Sequence, residues 1–373
     1  MAIVIQSYRQ EYEEAVKEFN QRLLSGGADA NLVFYERSEP RWLSDSSNPM
    51  LFNEFFLALD GGKVRGGYAL KHQNFSFADG SVRSVGYYHH PISEGIVDKA
   101  QAIVGSLLLR DAMQRSPLLY CLGMGGYDRP LPKMLMRLGW SHYLVPFYFQ
   151  IVHAARFMRE MQALRTSAAR RFLMDIGAYS GAAWTAAKTF HLFRRFLAPR
   201  AAPCQVEVVD EFGPWADVLW QRCDRGYAMT AVRDSATLRH LYPTSDQHLT
   251  RLRVNRNGED IGWAVVGEKR KDPKYGSLRV GSIIDCWASP QDTLPVIRAA
   301  AATLERAGAD LIVSNQSHKD WCAALEAAGF LRAPSNFIFA ASKKLAELLQ
   351  PFEEVKYRFH FTRADGDGLP RNF

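Results

Sequence analysis

Hydrophobic and polar positions fall into two blocks that repeat one order of elements. In the first, FFLAL and VRGGYAL (residues 55–70) flank Asp60-Gly61-Gly62. Apolar runs around residues that tolerate positive φ predict a β-hairpin. A turn at Ala78-Asp79-Gly80 leads to SVRSVGYYH, a third strand. Residues 102–115 read AIVGSLLLRDAMQR, and the spacing of Ile103, Leu107 and Leu108 predicts a helix, stopped by Pro117. LLYCLGM follows as a buried strand, residues 133–138 as a short helix ending at Gly139, and residues 142–152 as β-rich sequence.

The second block repeats the series. Residues 250–254 and 261–268 flank Asn257-Gly258, a strong hairpin signal. Residues 278–287 predict a strand, 293–307 a helix closed by Gly308, and 311–314 a buried strand. Residues 321–328 predict a helix closed by Gly329, and 335–341 a last strand. LLYCLGM…LPKMLMRLGW thus parallels ADLIVSN…WCAALEAAGF. Strands, helix, buried strand, short helix and strand give an α/β fold, a mixed sheet with flanking helices, built twice. The expected segments are a first domain at 1–150, a connector at 151–204, a second domain at 205–345 and a C-terminal tail at 346–373.

Charge refines this picture by its location. The 373 residues carry a net charge of +7. Residues 151–200 hold nine basic and two acidic side chains, so that segment accounts for the whole excess. A uniformly basic nucleic-acid binder is therefore not expected. Within it, Phe157, Met161, Leu164, Ala168 and Phe172 share a helical face opposite Arg156, Arg159 and Arg170. Beyond a break at Gly177–Gly181, Lys188, His191 and Arg195 share a face opposite Phe190, Phe193 and Leu197. Such faces suit an anionic membrane surface, an acidic partner such as an acyl carrier protein, or a helical pair packed between domains with solvated arginines.

Residues 1–25 have no signal-peptide pattern, and no run of about 18 apolar residues predicts a spanning helix. Five scattered cysteines without a CxxC pair fit reduced thiols in the cytoplasm better than disulfides or zinc. Adjacent His89 and His90 point to opposite faces of a strand and cannot chelate one metal, so a structural or surface role is expected. Asp365-Gly366-Asp367-Gly368 mimics the start of a calcium loop, but no position-12 glutamate follows, so it is read as a flexible tail. Cys121 and Cys322 lack a nucleophile elbow, and Gly123-Met124-Gly125-Gly126 lacks the order of a dinucleotide loop.

Each block, from strand through turn and helix to Gly139-Trp140 and Gly329-Phe330, resembles the GNAT superfamily of acyl-CoA-dependent N-acyltransferases. Ala231-Val232-Arg233-Asp234…Leu238…Leu241-Tyr242 also resembles a segment of tandem GNAT proteins from bacterial polysaccharide and cell-envelope loci. The resemblance implies two GNAT-like domains in tandem, with acyl-CoA or acetyl-CoA (or an acyl carrier) as donor and no metal. It implies transfer to an amino group of a small-molecule or lipid-linked sugar or envelope precursor. A non-catalytic tandem protein binding a ligand or partner near the membrane is the alternative, and a Fem-type aminoacyl transferase is a third reading. The expected place is the cytoplasm, with peripheral contact to the inner membrane face through residues 151–200.

The family fingerprint Gln/Arg-x-x-Gly-x-Gly/Ala sits at a helix start, where bare amides and the helix dipole bind pyrophosphate. Here Lys99, Gln101, Ile103, Val104, Gly105 and Ser106 occupy that stretch, with Ile103 at the first glycine position and Gly105 at the last. The second block has no glycine in the corresponding stretch, and Asp292 or Ser289 is expected to cap an ordinary helix. By the resemblance Glu94 is the base or else a solvated loop carboxylate, and Tyr127 is the acid or else a packing aromatic. Asp285, inside an apolar strand, is either functional or tied to a loop backbone, since an unpaired buried carboxylate is costly. Asn315 is expected to order its turn.

Overall fold

A computed structural model of the chain describes residues 3–40, 43, 51–160, 203–223, 226–268 and 276–366. The described residues form two compact units, each discontinuous in sequence. Unit 1 comprises residues 3–76, 81–143 and 338–353; unit 2 comprises 77–80, 144–337 and 354–366. No described helix is long and apolar enough to cross a membrane.

Unit 1 begins with strand β1 (Val4–Ser7) and helix α1 (Glu13–Ser25). Val16, Phe19, Asn20 and Leu23 form the buried face of α1, a spacing of three and four residues. Asn20 is tolerated there because its amide exchanges two hydrogen bonds with the Phe34 backbone, at 2.8 and 2.9 Å. Strands β2 (Leu51–Asp60), β3 (Lys63–Phe77) and β4 (Val82–Ser93) form an antiparallel meander. Gly61 and Gly62, at φ 57° and 86°, make its first turn. Helix α2 (Ile103–Arg115) crosses to strand β5 (Leu119–Gly123), then come helix α3 (Pro130–Arg137) and strand β6 (Ser141–Leu144).

The sheet of unit 1 runs β1-β2-β3-β4-β5-β15-β6, where β15 is Ile338–Ala341. One face packs Phe56, Tyr68, Leu70, Tyr88 and Cys121 against Val104, Leu108, Leu109 and Ala112 of α2. Burying each large apolar side chain there stabilises the unit by about 1.5–3 kcal/mol. The other face packs Phe55, Leu57 and Leu59 against α1.

Unit 2 has its own mixed sheet, β14-β7-β13-β12-β11-β10-β8. Its strands are β7 (Phe147–Ile151), β8 (Gln205–Val209), β10 (Leu249–Arg256), β11 (Glu259–Glu268), β12 (Val280–Ala288), β13 (Leu311–Asn315) and β14 (Leu331–Ala333). Asn257 and Gly258, at φ 56° and 84°, close the β10–β11 hairpin as the sequence predicts. The helix Thr293–Arg306 lies on the sheet, and a Cβ on Gly262 would meet Val296 at 2.6 Å. A short parallel pair joins β9 (Met229–Ala231) to β16 (Phe359–His360).

The segment bounds 1–150, 205–345 and 346–373 differ from these units in a reciprocal way. β7 pairs with β13 and β14, so residues 147–151 complete the sheet of unit 2. β15 pairs with β5, so residues 338–341 complete the sheet of unit 1. The expected tail 346–373 is corrected as well: its described part holds the helix Phe352–Val355 and strand β16, and Phe359, His360 and Phe361 are fully buried. Of the basic connector, the helix Ala154–Glu160 is described; the amphipathic faces read from residues 161–202 lie outside the described residues.

Candidate active site

The site in unit 1 is built where two parallel strands part. β4 pairs with β5 at Gly86–Leu119 and Tyr87–Tyr120, and the pairing stops there although both strands continue. Beyond it the Tyr87 hydroxyl donates to the Leu122 carbonyl at 2.9 Å. β4 ends at Ser93, and a turn of two short 3-10 segments, Glu94–Ile96 and Lys99–Gln101, leads into α2.

The amides of this turn serve the turn itself. Gly95 N–H donates to Ser93 Oγ at 3.1 Å, and those of Val97 and Asp98 donate to the Glu94 carbonyl. Ala100 N–H donates to the Asp98 carboxylate at 3.0 Å, and those of Gln101 and Ala102 donate to Asp98 and Lys99 carbonyls. Gly95 is needed for closure, since a Cβ there would lie 2.8 Å from the Gln101 carbonyl oxygen. Gly105 differs, because a Cβ there would meet only the Cβ of Ser93, at 4.0 Å.

Glu94 is buried and held by two guanidinium groups. Arg22 Nε donates to it at 2.7 Å and Arg65 Nη1 at 2.8 Å. Burial alone would raise its pKa, but Arg65 and Arg22 outweigh burial and hold the carboxyl below its ordinary range. Such a carboxylate is a weak proton acceptor, and it ties α1 and β3 to the turn. Glu94 is therefore neither solvated nor placed as a free base.

Beyond β5, Gly123, Met124, Gly125 and Gly126 all have positive φ, and this turn carries Tyr127. Tyr127 is half-buried and meets the His142 ring edge-on at 5.6 Å. Between α2 and α3 lies a cleft of about 500 Å³, lined by Ser106, Asp128, Lys133, Met134 and Arg137. Lys133 and Arg137 stand one turn apart on α3 and present two cations to it.

In unit 2, β12 and β13 also part. They pair from Val280–Leu311 to Ile283–Ser314, while β12 runs on to Ala288. Asp285, fully buried just past the split, accepts bonds from Arg233 Nε at 3.1 and 3.2 Å, the Tyr242 hydroxyl at 2.7 Å and the Thr362 hydroxyl at 3.0 Å. Arg233 extends its other edge to Asp365 at 2.8 and 3.0 Å. Burial pushes the Asp285 carboxyl up while Arg233 opposes the rise; burial also disfavours the Arg233 cation, but Asp285 and Asp365 hold it firmly protonated. Asp285 also accepts from the Cys286 amide at 2.9 Å, and its contact with Thr362 ties the split to the C-terminal segment. The flexible-tail reading of residues 365–368 is corrected at Asp365, which is buried because Arg233 needs a second carboxylate; residues 367–368 lie outside the described residues.

The sequence matches no protein-family model and no curated protein. Solved structures do resemble the chain over most of its length. A probable N-acyltransferase from Enterococcus faecalis is 10% identical, with a TM-score of 0.51, 91% of this chain covered and 72% of that one. N-myristoyltransferase of Saccharomyces cerevisiae with bound myristoyl-CoA is 9% identical, with a TM-score of 0.52, covering 91% and 79%. A GCN5-related N-acetyltransferase from Anabaena variabilis is 12% identical, with a TM-score of 0.51, covering 91% and 72%. The chain has a GNAT-type fold.

Within that GNAT-type fold, Glu94, Lys99, Gln101, Ile103, Val104, Gly105 and Ser106 lie on one strand–turn–helix passage, and Tyr127 follows the neighbouring strand. Asp285 belongs to unit 2. Ile103 is exposed, Val104 is buried in the core, and Ser106 lines the cleft. The Ala231–Tyr242 segment acquires a physical reading: Arg233 and Tyr242 hold Asp285, and Asp234 caps the helix Ser235–Leu241 by accepting Thr237 N–H at 2.7 Å. Asn315 orders its turn through the Pro146 carbonyl and Arg363. His89 is buried against Asn53, and His90 is half-buried against the Val33 carbonyl.

Sequence reading missed Lys133 and Arg137 as site residues. The signal was present, because PKMLMR places two cations at i and i+4 in a short helix free of acids. It missed Asp98 too, whose place before a helix start marks a cap. Among the described residues no cluster of three or more His, Cys, Asp or Glu is arranged to hold a metal.

Proposed function

We propose that this protein is an N-acyltransferase that takes its acyl group from a thioester bound to unit 1. The observation that carries this reading is the cleft between α2 and α3, with Ser106 on one wall and Lys133 and Arg137 on the other, in the unit whose β4 and β5 part. Its cations suit the phosphate of a pantetheine-bearing donor, acyl-CoA or an acyl carrier. The parted strands offer a path for the thin thioester arm. The GNAT-type fold, held by neighbours whose names describe acyl transfer, supports the same reading.

The chemistry is an addition and an elimination. The acceptor amine attacks the thioester carbonyl carbon, the C–S bond breaks, and the amine proton compensates the departing thiolate, leaving an amide and a free thiol. Tyr127, beyond β5, is the proposed proton donor to sulfur. Glu94 is proposed as the anchor of the turn through Arg22 and Arg65, so the acceptor enters as the free amine. The resemblance of the Ala231–Tyr242 segment supports an amino group on a sugar or cell-envelope precursor, and a cytoplasmic setting. It also supports reading the two units as GNAT-like domains in tandem, with unit 2 closed on its own C-terminal segment.

The occupied turn amides and neutralised Glu94 favour a second reading, a non-catalytic tandem protein that binds a ligand or partner. A titration of the full chain with acyl-pantetheine, acyl-CoA and acyl carrier, followed by mass-spectrometric search for an acylated amine, separates the two. Gly105→Glu is the control: the site has room for a side chain, so we expect the unfolding midpoint to hold while donor binding is lost. Unchanged affinity would remove this turn from the donor site.

A further inference from the structure

The acyl-thioester reading does not say what brings the thioester, and the surface around the α2–α3 cleft bears on that question. Lys133 and Arg137 line the cleft. Arg129 precedes α3, and Arg110 lies one turn along α2 from Ser106 on the same exposed face. Lys343 completes the group, its Nζ 3.8 Å from a Cβ built on Gly139 at the end of α3. Among the described residues none of these five cations is ion-paired; Asp128 is the acid on the cleft wall. Met136 and Leu138 stand among them, 42% and 45% exposed. A basic surface with exposed apolar side chains at its centre matches an acidic, amphipathic protein helix.

The turn before α2 adds little of its own to a diphosphate site. A pyrophosphate needs bare N–H groups at the helix start. Here the amides of Gly95, Val97, Asp98, Ala100, Gln101 and Ala102 already have acceptors within the turn, and the exposed Asp98 carboxylate puts a negative charge on it just ahead of α2. A carrier-borne arm has one phosphodiester in place of a diphosphate and an adenosine phosphate, and the cleft cations suffice for it.

We propose that unit 1 receives its acyl group from an acidic acyl carrier protein, whose phosphopantetheine arm enters the cleft while its acidic helix rests on the α3 surface. The transfer itself is unchanged: the carrier's C–S bond breaks, the amide forms, and the carrier leaves as the free thiol. This inference rests on the acyltransferase reading.

The test uses the full chain, a hydrolysis-resistant acyl carrier, the same carrier without its arm, and the matching acyl-CoA, all by calorimetry. The acyl carrier should bind about tenfold or more tightly than acyl-CoA and weaken as salt rises from about 50 to about 300 mM. The armless carrier should retain weaker, salt-sensitive binding. Arg129→Glu with Lys343→Glu, both outside the cleft wall, should weaken the carrier about tenfold and leave acyl-CoA unchanged. Tighter binding of acyl-CoA, or carrier binding indifferent to the charge reversals, would overturn the inference and leave the acyltransferase reading standing. Failure of the folded protein to bind either donor would overturn both.

Discussion

Arg233 sits between two carboxylates, 1% exposed, and its removal strands both. A buried pair adds little over a well-packed apolar substitute, whereas breaking one leaves an uncompensated charge. Arg233→Met should therefore cost about 3–5 kcal/mol in a urea titration, and a loss under about 1 kcal/mol would contradict the geometry described for the knot. His318 supplies a second residue-level test. It is 2% exposed, and burial holds its imidazole at about 4, below the ordinary 6.5. Above pH 6.5 it is neutral in both states. As pH falls towards 4, the unfolded chain binds a proton that the folded chain refuses, so stability is lost across that window. His318→Asn keeps an acceptor for Asp320 N–H and removes the titration. The variant should lose less stability than the parent between pH 7 and 4.5, and an equal loss would contradict the assignment.

At the scale of elements, Asp98 links the folding of the turn to what the turn can bind. Its carboxylate caps the segment Lys99–Gln101 and accepts from Ala100 N–H. Asp98→Ala should cost about 0.5–2 kcal/mol of stability. It should also tighten acyl-CoA binding, because an amide is freed and a negative charge removed. A weakening of both would show that the amide of Ala100 faces no ligand.

Elements with strong local signals were legible in the sequence. The Asn257-Gly258 hairpin, α2 and the helices closed by Gly139 and Gly329 follow from turn chemistry and periodicity. Helix α1 was equally legible from Val16, Phe19 and Leu23, yet the acids of its exposed face masked the pattern. The exchange of β7 and β15 was not legible. FYFQI and IFAA fit either sheet by alternation, and only the pairing of Tyr148 with Ser314 and of Phe339 with Leu122 decides. For the site, residue types were legible but charge partners were not. Glu94 reads as a free carboxylate until Arg22 and Arg65, far away in sequence, are brought to it.

At the scale of the whole molecule, the two units share one arrangement. In each, two parallel strands part after a few paired residues. In unit 2 the parting is closed by Arg233, Asp285, Thr362 and Asp365. In unit 1 the Tyr87 hydroxyl bridges it to the Leu122 carbonyl, and the cleft between α2 and α3 carries cations that are not ion-paired among the described residues. The proposed function requires that donor bind unit 1 and leave the split in unit 2 closed. Hydrogen exchange followed by mass spectrometry, with and without saturating acyl donor on its carrier, tests it directly. Slowed exchange at residues 99–110 and 128–139, with residues 280–318 unchanged, is the predicted result. Protection confined to residues 280–318, or none at a donor concentration shown to saturate, would contradict it.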